Sequence, residues 1–297
     1  RNGNNPMYEG LGVDFPKSNI GFFKELRKTQ SHPKIIFETK DDDGKIIHEY
    51  KLKMGMEIHS EPTAASLGST LGLYQDLSKH VKKFKIYTGD MSWDEFVLDF
   101  SSYFEYEDLE RIVDSHGSDK IHGNFIIFKE GMLEAKFRKD DLYRVGPFYP
   151  GYKKGKRETR ALMLFNMWIG NADLKPGENN KTLIRTKGDK KQIHYIQHDV
   201  GFAFGYYGRE KPTEFPWTLV KSKINGEIVF NYRSFVPNDG WNHVTYSDSK
   251  WMARKIAQLT REQITQCVKF GKWPNTAPYN YEQLIIEKLI ARRNQLV

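Results

Sequence analysis

Apolar positions alternate in short runs through the first half of this chain and fall into helical spacing through its last third. Residues 33–37 form a β-prone run, Asp41-Asp42-Asp43-Gly44 is a strong turn, and 45–54 returns, which predicts a hairpin. Alternation on the returning strand places Glu49, Lys51 and Lys53 on one face, with Tyr50 and Leu52 on the other. After a turn at Gly55, Ser60-Glu61-Pro62 opens an expected helix carrying Ala64, Ala65, Leu67 and Leu71. A strand at 84–87, amphipathic helices over 92–104 and 106–113, and a buried strand at 125–128 follow. Lys129-Glu130-Gly131 then reads as a tight polar turn leading into a second strand at 132–137, a candidate connection between two lobes.

Arg144 to Gly151, with two glycines and two prolines, breaks regular structure, and 157–169 is a strongly apolar helix with Leu162, Met163, Phe165, Met167 and Trp168. Two β-prone pieces, Leu183-Ile184 and 194–197, flank the polar turn Thr186-Lys187-Gly188-Asp189 and predict another hairpin. Residues 206–235 are rich in Gly, Pro, Trp and Lys. Tyr206, Tyr207 and Trp217 there are candidates for substrate contact or for packing the segment down. The last third reads as helices: 248–259, then 264–270 behind the capping pair Thr260 and Gln263, then 284–296 behind Asn280 and Gln283.

Composition narrows the function. The 297 residues suffice for two lobes and a sizeable core, and 38% hydrophobic with 14% aromatic content argues for a folded protein. No stretch is long and apolar enough to cross a bilayer. The net charge of +8 invites acidic partners, yet the basic residues are spread along the chain and alternate with acids. That distribution suits nucleotide phosphates or an acidic substrate, and no specific nucleic acid is expected. Cys267 is the single cysteine, which excludes an internal disulfide and reads as a core position. The nine histidines show no zinc-site spacing, and no Gly-x-Ser-x-Gly elbow occurs. The expectation is a soluble protein, cytoplasmic or secreted, with an N-terminus that is not complete at Arg1.

The chemistry concentrates between Trp168 and Gly205. Asn171-Ala172-Asp173-Leu174-Lys175-Pro176-Gly177-Glu178-Asn179-Asn180 is followed, after the hairpin, by His198-Asp199-Val200-Gly201. Phosphoryl transfer from a nucleotide needs a carboxylate that orients the attacking hydroxyl and accepts its proton, and hard oxygen ligands that hold Mg²⁺ against the phosphates. Asp173 is the candidate base, Lys175 an auxiliary cation, and Asn179 and Asp199 the candidate metal ligands. The hairpin between them would bring Asn179 and Asp199 back to one place. Asn180 is the rival of Asn179, which is preferred because it follows Glu178.

The run from Asp173 to Asn179 resembles the protein-kinase catalytic loop Asp-Leu-Lys-Pro-Glu-Asn with Gly177 inserted, and Asp199-Val200-Gly201 resembles the metal-binding Asp-Phe-Gly. The usual His-Arg before the catalytic Asp is replaced by Asn171-Ala172, and no Gly-x-Gly-x-x-Gly loop is visible; Gly10-Leu11-Gly12 is a lone pair of glycines. The pattern is closer to the atypical kinases: HipA-type, secretory-pathway casein-kinase and CotH-type. The resemblance implies an α+β, two-lobe kinase-like fold, with an N-terminal nucleotide-gripping lobe at 1–130 and a mainly helical C-terminal catalytic lobe at 131–297. It further implies ATP with Mg²⁺ or Mn²⁺, Lys53 as the phosphate anchor and Glu61 as its partner, with Glu57 as the rival. The implied acceptor is a hydroxyl on a protein, or else on a small molecule or carbohydrate. A pseudokinase that binds nucleotide without turnover, and adenylyl transfer, are the alternatives.

Overall fold

The structure is a computed structural model that describes the chain apart from residues 1–14, 28–32, 56, 103, 137, 140–141, 150–155, 176, 206–211, 235–240, 242 and 277. The glycine pair at 10 and 12 and the tyrosines at 206 and 207 therefore lie outside the described residues. In chain order the first elements are β1 (Ile20–Arg27), β2 (Lys34–Lys40), β3 (Ile46–Lys53), helix α1 (Glu57–Thr70), β4 (Tyr74–Gln75), β5 (Ser78–Gly89), α2 (Trp93–Ser101), α3 (Tyr106–Ile112), β6 (Val113–Asp119) and β7 (Gly123–Ala135). Then come β8 (Arg138–Lys139), β9 (Leu142–Pro147), α4 (Arg157–Arg160), α5 (Leu162–Ile169), β10 (Asn180–Lys187), β11 (Lys190–Gln197), β12 (Val220–Ile224), β13 (Glu227–Phe230), α6 (Tyr246–Ala257), α7 (Arg261–Phe270) and, last of the helices, α8 (Tyr281–Asn294). The class is α+β, and no helix among the described residues is long and apolar enough to cross a membrane.

The chain forms two compact units. One comprises Gly12–Ile58 and Leu77–Lys136. Its sheet runs β3-β2-β1-β5-β7-β6 and closes on itself where β3 also pairs with β7. The hairpin of β2 and β3 forms as its turn signal requires, with Lys34 opposite Lys53 at one end and Lys40 opposite Ile46 at the other. Tyr50 and Leu52 are buried, as the alternation predicts. The turn expected at Lys129-Glu130-Gly131 does not occur: β7 runs unbroken through it, keeping β5 on one side while its other neighbour changes from β6 to β3. Gly131 is there for space. A Cβ on it would lie 2.6 Å from Leu52 Cδ1 and 3.0 Å from the Lys53 carbonyl, so glycine permits the close approach of β3.

The other unit contains His59–Asp76 and Phe137–Val297. Alongside its helices it carries a five-stranded sheet, β4-β11-β10-β9-β8, which the helical spacing downstream gave no reason to expect. The hairpin of β10 and β11 is in continuous register from Asn180 opposite Gln197 to Lys187 opposite Lys190. Helix α1 starts at Glu57 and takes Pro62 into its interior, instead of opening at Ser60-Glu61-Pro62. Ser60, Glu61, Thr63 and Ala64 are wholly buried, and burial outweighs the one hydrogen bond that a proline forfeits. The apolar run at 157–169 divides into α4 and α5, with Trp168 and Phe165 fully buried in the core. Thr260 and Gln263 form the expected capping box of α7, and Asn280 caps α8.

Helix α8 also tethers the segment that follows Asp199-Val200-Gly201. Arg292, fully buried, donates to the carbonyls of Trp168 (2.8 Å), Met167 (2.6 Å), Pro216 (3.0 Å) and Thr218 (2.7 Å), with its guanidinium 4.7 Å from the Phe215 ring centroid. Lys288 donates to Pro212 and Thr213, and Gln295 Oε1 accepts from the amides of Leu219 and Val220. An Arg292→Met chain is expected to lose roughly 3 kcal/mol or more of unfolding free energy in urea, because buried carbonyls are left without donors. A loss below about 1 kcal/mol would mean that these bonds do no more than replace water.

Candidate functional site

The site begins at a helix end. Helix α5 stops at Gly170, whose φ of 67° is left-handed, and a Cβ there would meet the Phe215 ring at 2.7 Å. The chain turns sharply into Asn171, whose amide side chain donates to Asn166 Oδ1 at 2.9 Å. The same oxygen accepts from Gln197 Nε2 at 2.8 Å, and Asn166 Nδ2 donates to the Leu162 carbonyl at 2.8 Å. These buried amides tie the end of α5 to the end of β11. Two backbone bonds continue the lacing, Ala172 N to Phe202 O at 3.0 Å and Phe204 N to Ile169 O at 2.9 Å. The loop bearing Asp173 and the loop bearing Asp199 are thereby side by side.

Asp173 is buried, and its Oδ2 accepts from Lys175 Nζ at 3.0 Å. Its Oδ1 is sealed from solvent and, among the described residues, has no hydrogen-bond partner. Burial pushes the Asp173 carboxyl above the usual carboxylate range; Lys175 opposes this, and the negative charges of Asp199 and Glu178 add to the rise. Burial works to lower the Lys175 ammonium, but the Asp173 and Glu178 carboxylates outweigh it and hold Lys175 above its ordinary value.

The inserted Gly177 is taken up in a turn: the amides of Glu178 and Asn179 both donate to the Lys175 carbonyl, at 3.2 and 2.9 Å. Asn179, almost fully buried, donates through Nδ2 to the Asp199 carbonyl at 3.0 Å, and its own carbonyl accepts from His198 N at 2.7 Å. Asn180 opens β10 opposite Gln197. Asp199 has a φ of 58°, a left-handed conformation that Asp adopts more readily than most residues. Ser60, from α1, donates its hydroxyl to the Gly201 carbonyl. Glu61, one residue on and fully buried, offers a carboxylate oxygen within 4.8 Å of one from Asp199. Two carboxylates so close concentrate negative charge that a cation could offset. With Asn179 beside them, the donors are all hard oxygens of the kind that Mg²⁺ and Mn²⁺ take.

Lys53 lies in the other unit. It is 2% exposed, and its Nζ is 3.5 Å from Glu57 Oε2 and 3.4 Å from Glu134 Oε2. Glu134 also accepts from Lys51 at 2.8 and 2.9 Å, directly across from it in the β3–β7 register. Glu57 was in view as the rival acid from the sequence. Glu134 was not, although an acid inside the apolar run Met132-Leu133-Glu134-Ala135 is itself a signal. Asp76, which pairs with His198 and Arg144, left no such signal.

No protein-family model matches the chain, and no curated protein matches it in sequence. Among solved structures it is similar to the Golgi casein kinase with Mn/ADP bound, at 11% identity over 97% of this chain and 74% of that one, with a TM-score of 0.45. It is also similar to the Helicobacter pylori proinflammatory kinase CtkA, at 11% identity over 93% and 94% of the two chains (TM-score 0.43). A third is HipA of the Shewanella oneidensis MR-1 toxin–antitoxin system, solved with HipB and operator DNA, at 11% identity over 96% and 68% (TM-score 0.41). At such identities, and with TM-scores below 0.5, the chemistry of the site has to come from its own residues.

Because folding raises the Asp173 pKa, the folded chain holds more proton than the unfolded one just above the ordinary carboxylate range, and the residue's contribution to stability falls as pH rises through that window. Asp173→Asn is therefore expected to melt above the unsubstituted chain at pH 7, with the difference closing below about pH 4. Thermal melts across pH 3 to 8 measure this, and a variant that melts lower at pH 7 would contradict the assigned cause.

Proposed function

We propose that this protein is an ATP-dependent phosphotransferase that uses Mg²⁺ or Mn²⁺ to move the γ-phosphoryl group of ATP to a hydroxyl, most simply one carried by a protein. The observation that carries the reading is the backbone lacing between the Asp173 and Asp199 loops, which puts the buried Asp173 carboxylate beside a second acid that has an amide and a glutamate for neighbours. The Asp173 carboxylate is the base: it receives the proton of the acceptor hydroxyl as that oxygen bonds to the γ-phosphorus, while the bond from phosphorus to the β–γ bridging oxygen breaks and ADP leaves. The raised pKa brings the carboxylate closer to working pH and makes it a stronger base than an exposed Asp. Lys175 steadies the transferring phosphoryl group by charge.

Asp199 and Asn179 are the proposed metal ligands, with Glu61 supplying a further carboxylate. A bound divalent ion would neutralise phosphate charge there. Lys53 anchors the α- and β-phosphates, and its support in its own unit comes from Glu57 and Glu134. Glu61, expected from the resemblance as the partner of Lys53, is assigned to the metal group because of its closeness to Asp199. The bond from the Asn179 amide to the Asp199 carbonyl supports Asn179 as the ligand, and the extra residue at Gly177 lies in a turn.

Autophosphorylation with ATP labelled at the γ position, run beside ATP labelled at the α position, tests this reading. The expected outcome is incorporation of γ label only, dependent on Mg²⁺ or Mn²⁺ and reduced at least about 100-fold in Asp173→Ala and Asp199→Ala. Equal incorporation by Asp199→Ala would overturn the site. Incorporation of α label would replace phosphoryl transfer with adenylyl transfer, and nucleotide binding without any transfer would make the chain a pseudokinase.

A further inference from the structure

The proposed chemistry does not use Asp76, a buried carboxylate with partners on both oxygens. Asp76 is 3% exposed and sits immediately after β4, where its amide donates to the Gln197 carbonyl at 3.0 Å. One carboxylate oxygen accepts from the Arg144 guanidinium, on β9, and the other pairs with His198 Nδ1. A buried carboxylate with a cation on one oxygen and an imidazole on the other is a built arrangement, since its burial is tolerable only with both partners in place.

Its position gives it a task. His198 directly precedes Asp199, whose left-handed backbone must be held by its surroundings. The main chain of His198 is fixed by its bond to the Asn179 carbonyl, and Asp76 fixes its side chain. Helix α1 grips the same loop from its other end, through Ser60 on the Gly201 carbonyl, and β4 with Asp76 follows that helix in the chain. We propose that Asp76 is a positioning residue for Asp199. It acts through His198 to aim the Asp199 carboxylate toward a divalent cation shared with Glu61, and Arg144 holds the Asp76 carboxylate in place. This inference rests on the metal-site reading of Asp199 given above.

The test is Mn²⁺ binding, followed by electron paramagnetic resonance in the presence of ADP, for the unsubstituted protein, Asp76→Asn, His198→Ala, the double variant and His198→Gln. Outer partners of metal ligands typically matter 10- to 100-fold in affinity. The expected result is that Asp76→Asn and His198→Ala each weaken Mn²⁺ binding about 10-fold or more. The double variant should be no worse than the weaker single one, because both act through one contact. His198→Gln, which keeps a donor for Asp76, should recover most of the affinity, and circular dichroism should show all variants folded. A purely structural salt bridge would lower the melting temperature and leave the Mn²⁺ affinity of the folded protein unchanged, which would overturn the proposal. So would losses in Asp76→Asn and His198→Ala that add fully in the double variant. If the unsubstituted protein itself binds no Mn²⁺ with ADP, the metal-site reading falls, and this inference with it.

Discussion

Two backbone hydrogen bonds, from Ala172 to Phe202 and from Phe204 to Ile169, are the constraint on which the site depends. The first joins the loop after α5, and the second the last residue of α5, to the loop after β11. Their geometry requires a sharp exit from α5, which Gly170 supplies, and a left-handed residue at Asp199, which the Asn179 bonds hold. The buried amides of Asn166, Asn171 and Gln197 sit beneath the join and leave few alternative pairings, because each lost partner would strand a polar group away from water.

Charge follows from that frame. Burial raises the Asp173 carboxyl pKa and the charge of Asp199 adds to the rise, while Glu61 near Asp199 concentrates acid around a single point. Such an arrangement costs stability. The cost is carried by the apolar core of the same unit, in which α5 is almost wholly buried, and by Arg292 and Lys288, which hold the segment beyond the Asp199 loop by its carbonyls. Lys288 lies so far from water that burial, helped by the charge of Arg292, brings its pKa down to about 8.

Lys53 shows the same economy in the other unit. A lysine on a strand is usually solvated, but here the strand is covered, and the ammonium is held between Glu57 and Glu134. The closed sheet makes this possible, since β3 has neighbours on both sides and Glu134 enters from the second of them.

Local signals were enough for the elements that local chemistry decides. The hairpins at Asp41-Asp42-Asp43-Gly44 and at Thr186-Lys187-Gly188-Asp189, the capping box at Thr260 and the apolar helix before Asp173 were all legible, because turn and cap residues act within a few positions of themselves. The order of Asp173, Asn179 and Asp199 was legible for the same reason: a hairpin returns its ends to one place. Pairing over long distances was not. Gly131 looked like a turn and is a close approach within a strand; Pro62 looked like a helix start and lies inside one; Glu134 and Asp76 gained their partners only when strands remote in sequence met. Register between distant strands, and burial that outweighs local preference, are properties of the assembled chain, and no window of neighbouring residues contains them.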